Sequence, residues 1–411
     1  MTREPIPEST AEDARRRDFR RQTARVLASG SAWGFAFSTF WLLPKYLDRE
    51  LGAGPTAIGL VAGVFGVATL AFAPIAGRWV DRLPHRRTLV AGSLLMAASA
   101  IGFLFADSVG PTMLALRVLQ SLSHVLMMTA VSVAIAELAP AERLSQALGF
   151  AGATMLVMNA IAPAIAEPLA AAAGWPAVFV LSAAAALFAA TLAASIPSLP
   201  HHVRPVAHGP DGLLHVLRRP VALHFAAVTF FAGVAFGVVF TFEPPYALAL
   251  GREEVRGFFI AFALAAVVVR LLFGSAPDRL GRHRIATAML AAYAAGAFVM
   301  PSVPVWFLEP LGAVFGVAHG LFFPSVNAIA LSAVRNGERG RMMAIFTGAF
   351  NLGLASTAIL GLVAESAGYA AVFRTAAIAA GIGAVVLGGS GELRRADDPE
   401  ARRIALLGRA A

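Results

Sequence analysis

Gly77-Arg78-Trp79-Val80-Asp81-Arg82-Leu83-Pro84-His85-Arg86-Arg87 returns 197 residues later as Gly274-Ser275-Ala276-Pro277-Asp278-Arg279-Leu280-Gly281-Arg282-His283-Arg284. In both copies an apolar run of helix length ends in a glycine. An acidic and a basic residue follow four and five positions on, and more arginines precede the next apolar run. A repeat of this period in so apolar a chain indicates a membrane protein built from two related halves, not a soluble repeat array.

Composition gives the same answer independently. Hydrophobic residues make up 58% of the chain and charged residues 14%, with a mean hydropathy of +0.72. Charge is thus about half that of an average soluble domain. The net charge of +9 does not indicate nucleic-acid binding, because the basic residues are dispersed between apolar runs and form no patch. Cysteine is absent, which excludes disulfides, thiolate metal sites and cysteine nucleophiles.

Twelve apolar runs are long enough to cross a hydrocarbon layer of about 30 Å, which takes about 20 helical residues. We number them spans 1 to 6, at 24–46, 56–77, 88–107, 110–136, 146–169 and 175–196, and spans 7 to 12, at 220–249, 256–277, 285–303, 305–334, 342–365 and 370–389. The expected fold is all-α, with two pseudo-symmetric six-helix bundles at 24–196 and 220–390. Residues 1–23 and 391–411 are read as polar tails and 197–219 as a linker. Pro301 and Pro304 crowd the junction of spans 9 and 10.

The basic residues fix an expected topology. The tails and the links 2–3, 4–5, 6–7, 8–9 and 10–11 carry nearly all of them, whereas the opposite side has Lys45, Arg49, Arg252 and Arg256. By the positive-inside rule both termini and both motif loops face the cytoplasm, as in a multi-pass protein of the inner membrane. Arg16-Arg17-Asp18-Phe19 is similar to a twin-arginine export signal, but the run after it has no small-residue cleavage site.

The repeat extends beyond the loops. His124 corresponds to His319 at an offset of 195, Glu142-Arg143 to Glu338-Arg339 at 196, and Gly174-Trp175 to Gly368-Tyr369 at 194. The pattern G-x-x-x-D-R-x-G-R-[KR] resembles the signature loop of the major facilitator superfamily of secondary transporters, which lies between helices 2 and 3 and again between helices 8 and 9. In the first copy Pro84 stands where the family has its second glycine, which implies a differently shaped turn. The resemblance covers about residues 24–390 and implies two bundles with a central cavity lined by helices 1, 4, 7 and 10, opening alternately to each side. Thr241-Phe242-Glu243-Pro244-Pro245-Tyr246 and the arginine before the second loop resemble bacterial efflux permeases of the arabinose-efflux type.

An aspartate at the cytoplasmic end of span 2 or 8 can face the positive end of a neighbouring helix and pair with arginines, latching the bundles together. By resemblance this conformational latch comprises Gly77, Asp81, Arg82 and Arg86, and Gly274, Asp278, Arg279, Gly281 and Arg282. Arg270, one turn before Gly274, is assigned to it as well. The alternative is a set of ordinary positive-inside anchors with glycines that serve packing.

Within the spans, Arg117, Gln120, Ser121, His124 and Met128 fall at i, i+3, i+4, i+7 and i+11 and share one face of span 4. Arg117-Val-Leu-Gln120-Ser121 resembles the family element R-x-x-Q-G, whose arginine is associated with proton coupling. A guanidinium in the membrane needs a partner, and Glu167, near the outer end of span 5, is the expected one; proton coupling and a structural ion pair both fit. Gly149, Gly152, Asn159, Ala162 and Pro163 resemble a degraded antiporter element of helix 5.

Glu243 lies in an apolar segment interrupted by two prolines, where the helix is expected to kink or break. It suits a proton carrier, a ligand for a cation, or an outer gate with Lys45; a solvated position at the rim is the alternative. Span 10 brings His319, Phe322, Phe323 and Asn327 opposite the span 4 stripe. The histidines suit substrate binding or proton relay, and also simple hydrogen bonding between helices.

No phosphate loop, zinc-protease motif or serine nucleophile elbow occurs, so neither ATP hydrolysis nor an enzyme is indicated. No cofactor or metal is expected. The expected function is proton-coupled efflux of a drug or metabolite by a monomer in the bilayer, with substrate contacts from Trp41, Lys45, Gln120, His124, Met128, Phe240, Glu243, His319, Phe323 and Asn327. Proton coupling is placed on Arg117, Glu167 and Glu243. Uptake of a sugar or organic anion, and a transport-dead receptor on the same fold, are the alternatives.

Overall fold

The computed structural model describes residues 8–138, 144–197, 215–334 and 338–397. All regular structure among them is helical. In lipid every backbone N–H and C=O must be satisfied inside the chain, and helices do this within each crossing.

Span 1 belongs to a helix that starts earlier than expected, Glu8–Ser38, and continues through the 3-10 turn Thr39–Leu42 into Leu43–Arg49. Spans 2 to 6 are Pro55–Arg82, His85–Gly102, Pro111–Leu138, Leu144–Ala173 and Trp175–Ala194. Spans 7 to 10 are Pro220–Ala249, Arg256–Phe273, Arg282–Val299 and Leu308–Ser332. Two 3-10 turns, Met300–Ser302 and Val305–Phe307, take up the proline-rich junction of spans 9 and 10. Span 11 is Arg339–Ala355 together with the start of Thr357–Gly389, and span 12 is the remainder of that helix, the two being divided at Gly368. Residues 391–397 form a further short helix.

The twofold repeat is written into the backbone. All positive-φ residues among those described are glycines: Gly52, Gly174, Gly251, Gly281 and Gly368. Gly52 and Gly251 end spans 1 and 7, and Gly174 and Gly368, with φ of 80° and 79°, separate spans 5 from 6 and 11 from 12. A side chain in that conformation is strained, so glycine marks the same reversal in each half. The motif loops break the symmetry as the sequence indicated. Gly281 has φ 95°, whereas Pro84 takes φ −54° and ψ 136°.

The halves use different adhesives. In the first bundle, buried hydroxyls tie span 1 to its neighbours: Ser29 donates to Ala189 O, Ser182 to Ala36 O, Ser38 to Asn159 Oδ1 (2.7 Å), and Trp33 Nε1 to Ser123. In the second, span 7 is buried along nearly its whole length and packs through glycines and phenylalanines. A Cβ at Gly233 would strike the Phe350 carbonyl, and one at Gly353 would lie 2.7 Å from Val234 N. Small residues permit such backbone contact where lipid supplies no hydrophobic drive.

Span 2 packs on span 11, and span 5 on span 8, forming the seam between the bundles. Gly59, Gly63 and Gly66, at i, i+4 and i+7, put the backbone of span 2 against span 11: a Cβ at Gly63 would lie 2.6 Å from Ala358 Cβ, and one at Gly66 2.8 Å from Ala355 N. Span 7 runs unbroken through Pro244 and Pro245, contrary to the expected break. The prolines stand within the last turns before Ala249, so the rest of the helix keeps its ladder.

Candidate functional site

At the end of the spans away from the motif loops, carboxylates from both bundles reach across the seam, and Glu365 of span 11 accepts the Thr56 N–H of span 2 at 3.1 Å. Glu167 of span 5 is 3% exposed. Its Oε1 lies 2.6 Å from Lys45 Nζ and accepts the N–H of Val255 at 2.9 Å, and its Oε2 accepts that of Arg256 at 2.8 Å. Lys45 also donates to the Glu253 carbonyl. Val255 is the N-cap residue of span 8 and its own side chain cannot cap. Glu167 therefore caps, from the other bundle, a helix end whose N–H groups and dipole favour a negative charge.

This corrects two expectations. Arg117 does not pair with Glu167, and Lys45 does not pair with Glu243. Glu167 faces span 8, where orphan N–H groups and Lys45 both converge, while the polar face of span 4 turns toward span 2. There Arg117 donates to Gln120 Oε1 (2.5 Å) and Val61 O (3.3 Å), with its guanidinium 4.8 Å from the centre of the Phe65 ring. Ser121 meets Thr69 of span 2 at 2.9 Å. Carbonyl, amide and aromatic face together partner this cation without an acid.

Beneath Lys45 and Glu167 lies an aromatic layer. Trp41 of span 1 meets Phe240 at 4.6 Å, Phe259 at 5.7 Å and Phe236 at 6.1 Å between ring centres, all three from the second bundle. Phe236 stacks on Phe240 at 4.2 Å and reaches down to His319 at 5.4 Å.

His124 and His319 then occupy matching aromatic cages. Phe37, Phe65 and Trp33 surround His124 at 4.8, 5.5 and 5.8 Å. Phe323, Phe262 and Phe236 surround His319 at 4.4, 5.2 and 5.4 Å. Phe37 and Phe236 are related by an offset of 199, and Phe65 and Phe262 by 197. Phe37, Phe65, Phe236 and Phe262 are absent from the sequence-based candidates, and their offsets of 199 and 197 differ from the 195 that links the histidines. A cavity of about 20 Å³ lies beside His319, bounded by Phe236, Tyr293, Phe322 and Phe323.

Several buried polar atoms around this axis have no protein partner: Gln120 Nε2, His124 Nδ1, Glu243 Oε2, Tyr293 Oη and Asn327 Oδ1. Buried polar groups are nearly always satisfied, so each exception marks a place for water or a ligand. Glu243 is 1% exposed, which rules out the solvated rim position. Arg252, Glu167 and Glu309 are the charges that act on it, and Arg252 is itself paired with Glu309. Met128 is half-buried on the span 4 stripe, as is Asn327 on span 10.

At the motif-loop end, Asp81 and Arg82 belong to the last turn of span 2 instead of a loop. Arg82, Arg86 and Arg279 are exposed, and a Cβ at Gly77 would meet nothing. Asp278 pairs with Arg282 of its own loop at 2.6 Å. Gly274 terminates span 8. Arg270 lies inside the seam: its Nε donates to Gly320 O of span 10 at 3.1 Å, and its Nη1 would be 3.8 Å from a Cβ on Gly152 of span 5. Glu142, Arg143 and the side chain at 149 fall outside the described residues.

Sequence comparison matches residues 26–259 and 228–405 to the Major Facilitator Superfamily. The chain belongs to that superfamily. Among its relatives, an MFS-type transporter of Pseudomonas aeruginosa LESB58 is 28% identical over 352 residues, covering 82% of this chain and 85% of the relative. An MFS-type transporter of Burkholderia mallei SAVP1 is 28% identical over 360 residues, covering 83% and 85%. The fold matches a crystal structure of the nucleoside transporter NupG with a TM-score of 0.75 at 12% identity, over 90% of this chain and 98% of that one. A POT family transporter bound to a thioalcohol-conjugated peptide gives 0.73 at 11% identity, over 89% and 95%. This superfamily member is accordingly a multi-pass secondary transporter of small molecules.

Proposed function

We propose that this transporter exports a small amphipathic organic molecule, a drug or metabolite, in exchange for protons, with Glu243 as the proton carrier. The observation that carries the reading is Glu243 itself. Its carboxyl is buried in span 7, one oxygen has no partner, and its electrostatic neighbours Glu167, Arg252 and Glu309 belong to the outer closure and the helix ends beside it. Loading or releasing a proton there changes the charge balance of the closure, which is what coupling requires.

The aromatic cages around His124 and His319, with Trp41 and Phe240 above them, favour a substrate with an apolar or aromatic body. The cations that an anionic sugar derivative or organic acid would need are already engaged, Lys45 by Glu167 and Arg117 by Gln120, Val61 and Phe65. That favours a neutral or cationic substrate over the anion-uptake alternative.

The test is proton flux in liposomes carrying purified protein and an internal pH-sensitive dye, with cationic, anionic and sugar compounds added singly. A cationic or neutral amphipathic compound is expected to move protons in the parent, and Glu243→Gln is expected to abolish that flux while substrate exchange persists. Equal proton movement in variant and parent removes Glu243 from the role. Proton movement driven by anions alone overturns the substrate class.

A further inference from the structure

Two surface cavities sit at the cytoplasmic motif loops, one in each half. The first, about 630 Å³, is formed by the loop between spans 8 and 9 and the short helix Gly391–Asp397. The second, about 600 Å³, lies at the first loop, and Pro84 and Arg87 line it where Gly281 and Arg284 line the other, each at an offset of 197. Both open where a span ends, the depth of the lipid headgroups.

The larger cavity has an unbalanced charge. Arg279, Arg282, Arg284, Arg394 and Arg395 line it against two acids, Asp278 and Asp397. Asp278 is taken by Arg282. Asp397 Oδ2 accepts the backbone N–H of His283 at 2.9 Å, which docks the short helix onto the start of span 9. Arg394 donates to the Gly388 carbonyl, which carries no countercharge. Arg279, Arg284 and Arg395 have no carboxylate partner among the described residues. The apolar wall is Leu280, 60% exposed, and it continues the lipid-facing stretch Leu271, Leu272 and Phe273.

We propose that this cavity binds a phosphate group, that of an anionic phospholipid whose acyl chains lie along Leu280 and the end of span 8. Guanidinium forks match phosphate oxygens in pairs, and gathering three uncompensated guanidiniums is unfavourable until an anion joins them. The smaller cavity repeats the arrangement, with Arg86 and Arg87 above the apolar Val90, Ala91 and Leu94. Arg394 and Arg395 add the cations that set the larger one apart. The bound lipid holds the C-terminal helix against the motif loop.

The experiment titrates full-length protein in neutral detergent with phosphatidylglycerol, phosphatidylcholine and inorganic phosphate, reading thermal melting at each concentration. Phosphatidylglycerol is expected to raise the melting temperature saturably and less at high salt, with phosphatidylcholine giving no saturable rise. In Arg394→Gln/Arg395→Gln the half-saturating lipid concentration is expected to rise about tenfold, from roughly a fewfold loss per basic residue near a lipid surface. Arg394→Lys/Arg395→Lys, which keeps the charge and loses the fork, is expected to fall between the two. Comparing half-saturation points, not melting temperatures, separates lost binding from a destabilised fold. If inorganic phosphate stabilises the parent alone, with the same dependence on the two arginines, the phosphate site stands and its source is soluble. A Gln variant that titrates like the parent, or equal stabilisation by phosphatidylcholine, overturns the site.

Discussion

The Glu167 carboxylate accepts the Val255 N–H at 2.9 Å across the line between the two bundles, so the start of span 8 is capped by span 5. Ordinarily a helix carries its own cap. Here the cap comes from the other bundle, which makes a helix N-terminus part of the contact between bundles.

Glu167→Gln is expected to loosen that contact. The amide keeps one acceptor oxygen but loses the charge that serves Lys45 and two N–H groups together. Hydrogen bonds to charged groups contribute about 1.5–3 kcal/mol each, so the population open at this end is expected to grow about tenfold or more. Spin labels at Ser108→Cys and Ser302→Cys, exposed positions at the end away from the motif loops in opposite halves of this cysteine-free chain, report the separation. Identical distance distributions in variant and parent contradict the assignment.

Gly63→Ala and Gly233→Ala present similar steric problems in different places. Gly63 lies on the seam, against Ala358 of the other bundle, and Gly233 lies inside the second bundle, against Phe350. The first is expected to shift the same spin-label distances toward the open state with little loss of melting temperature. The second is expected to destabilise the fold itself by about 1–3 kcal/mol, the usual cost of overpacking. A reversal of the two outcomes would mean that the seam is as fixed as the bundle interior.

Phe236→Leu is aimed at the link between the aromatic layer around Trp41 and the His319 cage. The substitution keeps apolar bulk but removes stacking on Phe240 and the ring beside His319. Aromatic pairs contribute about 0.5–1.5 kcal/mol beyond area burial, so KM for an aromatic substrate is expected to rise about threefold to tenfold with kcat little changed. A fall in kcat at constant KM would move Phe236 from binding to gating.

Asp278→Asn is expected to lower turnover several-fold and leave substrate affinity as it is, because its pair with Arg282 shapes the second motif loop, on a different stretch of the chain from the aromatic cages. Single-turnover efflux and equilibrium binding, measured on the same preparation, distinguish the two effects. A defect confined to affinity would count against a role in the latch.

Much of the architecture was legible in the sequence because hydrophobic length and charge asymmetry act locally. Each span had to be helical to satisfy its own backbone in lipid, and the 197-residue offset between Asp81 and Asp278 announced two halves. Gly174 and Gly368 were visible as a repeated pair at an offset of 194, and the structure makes both of them reversal points. The stripe from Arg117 to Met128 was legible from helical spacing alone, and the structure places Arg117, Gln120 and Ser121 on the face that meets span 2.

Partner choice was not legible. Depth along the membrane allowed Glu167 to reach Arg117, Lys45 or neither, and only the rotation of span 5 against span 8 selected Lys45 and the N–H groups of Val255 and Arg256. The same holds for Glu243, whose burial depends on how spans 7 and 8 pack, and for the helix Gly391–Asp397, which buries Leu393 and places Asp397 against the His283 N–H. The sequence by itself determined the spans, their repeat and their expected orientation, because these follow from transfer of local segments into lipid. Which side chains meet between spans was decided by tertiary structure, because rotating a helix about its axis costs little in lipid until its neighbours fix it.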